Sequence, residues 1–520
     1  MKYFDFHCHP VLKQLFNDVP NLDSFISRTD VATIPKLCSD LPNIIETQTH
    51  QAQLAEFNDE VIVGAVLYSV EKNIAASVIP LRNFLKPSAQ FKLSETLLKD
   101  IVSNKCRYFS DFLMNRTLNN FLKSSSFNVL KKDSFNKPLP KNKVNIFFTV
   151  EGCHSLVDSI NFADDKQKYS PEEILGNLDK ILAKAPVISV NLTHIQQSSL
   201  CNHAFGMQIA DANLFVPQGN GMQNDGRKVA QGLFDRKICI DVKHMSYKSR
   251  KDLMTEIDGK KFKNIQPLVC THAGFTGLSF KDWAGHIQLK KPTSGAIYTE
   301  ITKPFNSKSN ARRPGFPTFN ASTINLFDEE IVWIVKNGGM IGVSLDRRIL
   351  GYVDPNDTDP TGISDAERIV DKEFFSKTEW EALAIKNSAI GQKIDDDNCL
   401  SMQELLESQT NIPLRNEYFY DHLLNHIKHY FQVCRDNGIA VKTAQKQICI
   451  GTDYDGLINP FLNMPTVQRM EDVKSYIKLN LKFFLKALKD SKKWADELDI
   501  DIFAEDFFYN NGLKFIKSRF

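Results

Sequence analysis

The sequence predicts an α/β protein built as a single (β/α)8 barrel of the TIM type, and three observations predict it. Eight short runs rich in β-branched and aromatic residues recur along the 520 residues, at Tyr3 to His7, Val61 to Tyr68, Val144 to Val150, Val187 to Thr193, Ile238 to Lys243, Pro267 to Thr271, Met340 to Leu345 and Gln447 to Thr452. Most are apolar without alternation, as strands buried on both faces are. Longer stretches of helical character separate them, the order expected of βα units around a parallel sheet. Six of the eight runs lead into a residue type that ligates metals. An open doubly wound sheet shares the local pattern, but its strand ends lie in a row, whereas a closed barrel gathers them around one mouth.

The predicted helices are Ser94 to Lys123, Pro171 to Lys184, Ser249 to Ile257, Phe327 to Lys336, Asn416 to Asn437 and Glu471 to Leu488. Asn337, Gly338 and Gly339 form a helix stop directly before the seventh strand. Three segments exceed ordinary connections: Pro10 to Asn58 after the first strand, a polar substrate-loop insertion over 274–322 after the sixth, and a mostly helical insertion over 347–446 after the seventh. All three leave the C-terminal ends of strands, where barrel enzymes build their pockets. They are expected to be walls and lids of one active site within a single unit spanning residues 1–520.

With 42% hydrophobic and 24% charged residues the composition is that of a globular protein with a large core. A formal net charge of +2 offers no electrostatic reason for a nucleic-acid or anionic-membrane partner. The basic stretch Lys131, Lys132, Lys137, Lys141 and Lys143 reads as a solvated loop. Asp5, His7 and His9 interrupt what a signal peptide needs as an unbroken apolar run, and no stretch of about 18 apolar residues follows. The expectation is a cytoplasmic protein, and ten scattered cysteines without a close pair fit reduced thiols.

Strand ends carry the chemistry. The first ends in His7 and His9, and residues i and i+2 of a strand share a face, so both imidazoles can reach one ion. The third runs into Glu151, the fourth into His194, the fifth into His244, the sixth into His272 and the eighth into Asp453. Imidazole and carboxylate ligands suit Zn2+ or related divalent ions, and one carboxylate can bridge two of them. Glu151 is the natural bridge.

The stretch Val150, Glu151, Gly152, Cys153, His154, Ser155 resembles the Glu-Gly-Gly-His-Ser signature of the membrane (renal-type) dipeptidase family, a branch of the amidohydrolase superfamily with binuclear zinc barrels. Further segments resemble that family in the same order. Asn191 to His194 is similar to its Leu-Thr-His strand, Asp241 to Ser246 to its Asp-x-x-His-x-Ser, and Thr271, His272, Ala273 to its Ser-His-Ser. Arg312, Arg313, Pro314 resembles its Arg-Arg-Asn loop, and Gly451 to Gly456 its Gly-x-Asp-Phe-Asp-Gly. The chain departs from the family in opening with His7-Cys8-His9 where the family has His-x-Asp, and in its greater length. Imidazole for carboxylate keeps a ligand and removes one negative charge.

The resemblance implies two Zn2+ per chain, one held by His7, His9 and Glu151 and the other by His244, His272 and the same Glu151. It also implies a hydroxide between the ions as nucleophile, His194 polarising the scissile carbonyl, and Asp453 carrying the proton to the leaving amine. A planar cation suits a dipeptide's free carboxylate, and Arg312 is preferred over Arg313. The implied partner is a small dipeptide-like substrate, in a homodimer. Alternatives are a lactonase, esterase or deaminase on the same metal site, although the Glu151 bridge argues against a deaminase, or a non-catalytic binding protein on a degenerate barrel.

Some features are set aside. His422, His426 and His429 share one helix face but lack the Glu a zincin needs, and are expected on the surface of the insertion. Asp354 to Asp359 and Asp395 to Asn398 lack calcium-loop spacing and read as solvated turns. Cys8 and Cys153 are expected to point away from the ligands. His154 is expected to support the site without ligating.

Overall fold

The computed structural model describes residues 1–27, 41–82, 93–158, 168–206, 215–289, 296–302, 319–351, 370–385, 416–487 and 491–520. Arg312 and Arg313, both Asp-rich pieces, and Cys38 and Cys399 lie outside the described residues.

All eight expected strands form. In chain order the strands are β1 (Tyr3–Cys8), β2 (Val61–Leu67), β3 (Phe127–Val129), β4 (Val144–Val150), β5 (Val187–Asn191), β6 (Cys239–Asp241), β7 (Val269–Ala273), β8 (Ile287–Leu289), β9 (Ala296–Thr302), β10 (Met340–Val343), β11 (Val370–Ser376) and β12 (Ile448–Ile450). The order β1-β2-β4-β5-β6-β7-β10-β12 is parallel throughout, and β3 pairs beside the start of β4. The sheet closes on itself where the Asp453 N–H donates to the His7 carbonyl at 2.9 Å and the His9 N–H to the Tyr454 carbonyl at 2.8 Å. The closed (β/α)8 barrel is therefore the fold, and the strand ends do surround one mouth.

Two apolar layers hold it. Outside, the strands pack against the helices in one continuous cluster that includes Val63, Ile146, Val190 and Leu233. Inside, Phe4, Phe6, Ile62, Phe147, Ile188, Val269 and Met340 fill the barrel, and Tyr509, Phe515 and Ile516 from the C-terminal helices seal its lower end. The plug is close-fitting, since a Cβ on Gly512 would lie 2.1 Å from the Phe4 ring.

A bulge in β1 decides which residues face the mouth. Asp5 pairs with Val63 but Cys8 with Ala65, one residue more on β1 than on β2. Phe4 and Phe6 thus point into the barrel while, beyond the bulge, His7 and His9 do so and Cys8 joins the outer layer. Without the extra residue, facing parity would carry Cys8 inward instead.

Helix boundaries agree within two residues at Pro171–Leu182, Tyr247–Asp258, Asp328–Lys336, Asn416–Asp436 and Met470–Ala487. The expected Ser94 to Lys123 helix is interrupted. Ser94 caps Glu95–Val102 through the Leu97 N–H at 3.0 Å. The chain then turns at Asn104, which has a φ of 60°, and resumes as the wide helix Tyr108–Leu118. The Lys105 and Cys106 N–H groups both bond to the Asp100 carbonyl, which ends the first helix.

The two insertions meet. β11 lies antiparallel to β9, which lies antiparallel to β8, so residues from both build a three-stranded sheet. Trp283, Ile301, Phe375 and Trp380 pack it on Tyr247 and Phe327 of the barrel layer. Glu379 accepts from the Asn202 side chain and from the Gly221 N–H, and Glu373 from the Thr323 N–H at 2.6 Å, tying this sheet to the loops at the mouth.

The three helical histidines are buried, contrary to a solvated face. His426 accepts from the Phe275 N–H at 3.1 Å and bonds the Leu350 carbonyl at 3.0 Å, and His429 reaches Asp328 at 2.7 Å. His426 docks the helix Asn416–Asp436 on the loops after β7 and β10 and His429 docks it on the helix Asp328–Lys336, a polar seam that sequence periodicity does not distinguish from an exposed one. The basic stretch around Lys131 to Lys143 is exposed as expected.

Candidate metal centre

Glu151 sits at the centre of the mouth. Its Oε1 lies 3.1 Å from His244 Nε2, 3.5 Å from His7 Nε2, 3.6 Å from His272 Nε2 and 3.8 Å from His194 Nε2, and its Oε2 lies 3.3 Å from His9 Nε2. Asp453 Oδ1 faces the same pair, 3.5 Å from His9 and 3.8 Å from His7. Three overlapping groups could each hold an ion: His7, Glu151 and His272; His7, His9 and Asp453; Glu151, His194 and His244. Every strand-end residue expected at the site is brought together, and Arg312, expected from the loop after the sixth strand, lies outside the described residues.

The chain folds to present these atoms at some local cost. His244 and Asp453 have φ of 68° and 63°, left-handed conformations that non-glycine residues adopt at a penalty of roughly 1–2 kcal/mol. Gly152, at a φ of 80°, turns the chain after β4 where a Cβ would meet the His154 ring at 2.4 Å. The remaining motif residues support the turns. Ser246 caps Tyr247–Asp258 through the Ser249 N–H at 3.2 Å. Thr452 donates to Asp5 at 2.6 Å, and Asp455 accepts from the Gln48 and Thr49 N–H groups and pairs with buried Lys13 at 2.7 Å.

A hydrogen-bond chain orients the His7 imidazole. The Thr271 hydroxyl donates to Asp241, leaving its lone pairs to accept from His7 Nδ1 at 2.9 Å. His7 Nε2 therefore faces the carboxylates, and among the described residues this buried atom has no hydrogen-bond partner. His244 Nε2 and His272 Nε2 face each other at 3.0 Å. Burial, with the neighbouring His194 charge, pushes His244 down to about 3, and burial with the His7 charge pushes His272 well down. Burial thus keeps both imidazoles neutral, and neutral nitrogens converging on one spot beside Glu151 can ligate a divalent cation there.

The carboxylates are tuned in opposite senses. Burial would raise Glu151, but the surrounding imidazoles at His194 and His7 and the bond from His244 hold it well below the usual carboxylate range. Burial raises Asp453, against the bond from His9 and the charge on His7. For His9, burial is outweighed by hydrogen bonds to Asp453 and Glu151, which raise it to about 9. A ring of imidazoles around one ionised carboxylate suits borderline divalent ions.

Sequence reasoning missed two residues. Glu71, just beyond β2, bonds His194 Nδ1 through its Oε1 at 2.5 Å and accepts from the Tyr68 hydroxyl. The run Val61 to Tyr68 leads toward Glu71 as other strands lead toward their ligands, and that was the available signal. Lys243 lines the cavity beside His244. His154 bonds the Ser69 carbonyl at 2.7 Å, and neither Cys8 nor Cys153 lines the cavity.

No family model matches the chain, and no curated protein matches it. Among solved structures it is similar to a dipeptidase described as a metallopeptidase, at 12% identity and a TM-score of 0.48 over 100% of this chain and 98% of that one. It is similar to a metallopeptidase from Rhodobacter sphaeroides liganded with a phosphinate mimic of the dipeptide L-Ala-D-Ala, at 11% identity and 0.49 over 100% and 99%. A third is the probable dipeptidase PvdM from Pseudomonas aeruginosa, at 11% and 0.47 over 100% and 96%. These scores are low, and the functional reading stands on the site's own residues.

Proposed function

We propose that the chain is a binuclear zinc-dependent hydrolase that cleaves the amide bond of dipeptides or similar small amides. The observation that carries the reading is the convergence of His7, His9, His244 and His272 on the single carboxylate of Glu151. The ordered motifs from Glu151 to Gly456 support it. In this reading His7, His9 and Glu151 hold one ion, and His244, His272 and Glu151 the other. Divalent ions bound there supply Lewis-acid polarisation and a water acidic enough to react near neutral pH.

The chain's own residues do the rest. His194, with its Nδ1 bonded to Glu71, presents Nε2 toward the mouth, where a proton on that atom donates to the carbonyl oxygen as negative charge develops. Asp453 has its Oδ1 beside His7 and His9 and a side chain 14% exposed, so it can take a proton from water and deliver it to the leaving amine. Its raised pKa suits that exchange. Arg312 takes the substrate carboxylate by a bidentate contact.

The deciding experiment combines metal analysis with a panel of L,L and L,D dipeptides and simple lactones, assayed with Zn2+. About two zinc ions per chain and dipeptide cleavage are expected. One ion or none overturns the binuclear reading, and cleavage of lactones alone transfers the site to ester chemistry.

A further inference from the structure

The cavity at the barrel mouth is lined by metal-centre residues and by two basic side chains, Lys243 and Arg348. They differ in what they already hold. Arg348 is committed, its Nε and Nη2 forking onto Asp346 at 3.0 and 2.7 Å. Lys243 is 2% exposed, and its Nζ makes one long bond, 3.4 Å to the Ile324 carbonyl. It forms no ion pair among the described residues. A buried ammonium with one weak acceptor is costly unless another anion completes it.

We propose that Lys243 is the anchor for a carboxylate of the substrate, so that the pocket selects small amides bearing a carboxylate close to the scissile bond. Several facts place the anion there. Lys243 directly precedes His244, so its side chain leaves the same strand end as a residue touching Glu151. Asp241 accepts its backbone N–H at 3.0 Å and the Asn191 side chain donates to its carbonyl at 3.0 Å, which fixes the backbone from which the ammonium projects. Ile324, whose carbonyl accepts that one long bond, also lines the cavity. An ammonium is a point charge that suits one oxygen of a carboxylate: on the terminal carboxylate it adds to the Arg312 fork, and on an acidic side chain it acts apart from it. The carboxylate is either the terminal group or an acidic side chain.

The kinetic arm rests on the hydrolase reading, and the binding arm does not. Alanyl-alanine carries the terminal carboxylate alone, alanyl-aspartic acid α-amide the side-chain carboxylate alone, and alanyl-alaninamide neither. Zinc-loaded wild type is expected to favour one of the acids over alanyl-alaninamide by about 10- to 100-fold in kcat/KM, the range of a charge-assisted bond. The favoured acid identifies the source. Lys243→Met is expected to lose most of that preference through KM with metal content unchanged, and Lys243→Arg to keep part of it. A preference intact in Lys243→Met overturns the proposal, as does a loss of zinc in that variant, which makes Lys243 structural. If wild type cleaves none of the three, the hydrolase reading fails and thermal shifts decide. N-acetylalanine should then raise the melting temperature of zinc-loaded wild type more than N-acetylalaninamide does, and Lys243→Met should remove the difference. Equal shifts in wild type overturn the proposal.

Discussion

Glu71 Oε1 lies 2.5 Å from His194 Nδ1, and the Tyr68 hydroxyl donates to the other oxygen of the same carboxylate. Buried Glu71 fixes the orientation of the imidazole whose Nε2 faces Glu151, as carboxylate–histidine pairs do around metal ligands. Glu71→Gln is expected to lower kcat about 10- to 100-fold while zinc content stays at the wild-type value. Elemental analysis and steady-state kinetics on the same preparation check both halves.

The same pair has a pH signature in metal-free protein. Burial opposes ionisation of Glu71, yet the His194 and His154 charges and the bonds from His194 and Tyr68 hold its carboxyl at about 2. An unfolded glutamate titrates near ~4.3. The folded value is depressed, so the stabilisation is complete above about pH 5 and disappears as the pH falls from there toward 2. Urea unfolding from pH 7 to 3 should show wild type losing more stability than Glu71→Gln over the acidic part.

In the proposed reading Glu151 bridges the two ions, so removing its carboxylate should uncouple stability from zinc. At zinc concentrations about 100-fold above its Kd, binding adds about 2.7 kcal/mol to wild type. Glu151→Ala is expected to show no such increment in thermal unfolding with and without chelator, and to retain less than half the wild-type metal.

The imidazole of His9 faces Glu151 Oε2 at 3.3 Å and Asp453 at 3.5 Å. His9→Asp adds one negative charge at that position and should tighten the weaker-held ion by on the order of tenfold. Competitive zinc titration against a chromophoric chelator measures it, and unchanged affinity for both ions would refute the charge argument.

Arg250 pins the turn that carries His244. Its guanidinium pairs with Glu330 at 2.7 Å and donates to the Met245, Thr323 and Asn325 carbonyls, all buried. Arg250→Met leaves Glu330 charged and three carbonyls short of a donor, and should cost roughly 3–5 kcal/mol in denaturant unfolding. The double variant Arg250→Met, Glu330→Met should recover part of that loss.

Much of the site was legible because parallel strands advertise themselves as short, wholly apolar runs, and the residues just past them declare the chemistry. His244 and His272 were readable this way, as were Glu151 and Asp453. Glu71 was not, because a lone acid three residues beyond a strand resembles any loop carboxylate until His194 is seen against it. Lys243 was read as the last residue of a strand, and its exposure to the cavity appears only once Ile324 is packed beside it. The histidines of Asn416–Asp436 were misplaced because a polar helix face looks the same whether it meets water or the backbone of a neighbouring loop.

By itself the sequence determined the eight strands, their parallel order and the residue types at their ends, since these follow from local periodicity and short-range turn chemistry. Tertiary structure decided which of those ends share one centre. The bulge in β1 turns His7 and His9 inward, and the bonds from Asp453 to His7 and from His9 to Tyr454 close the barrel. Closure brings the first and last strands, more than 400 residues apart, to within hydrogen-bonding distance. Contacts of that separation depend on register and closure, which are properties of the whole sheet and have no signature in any one segment.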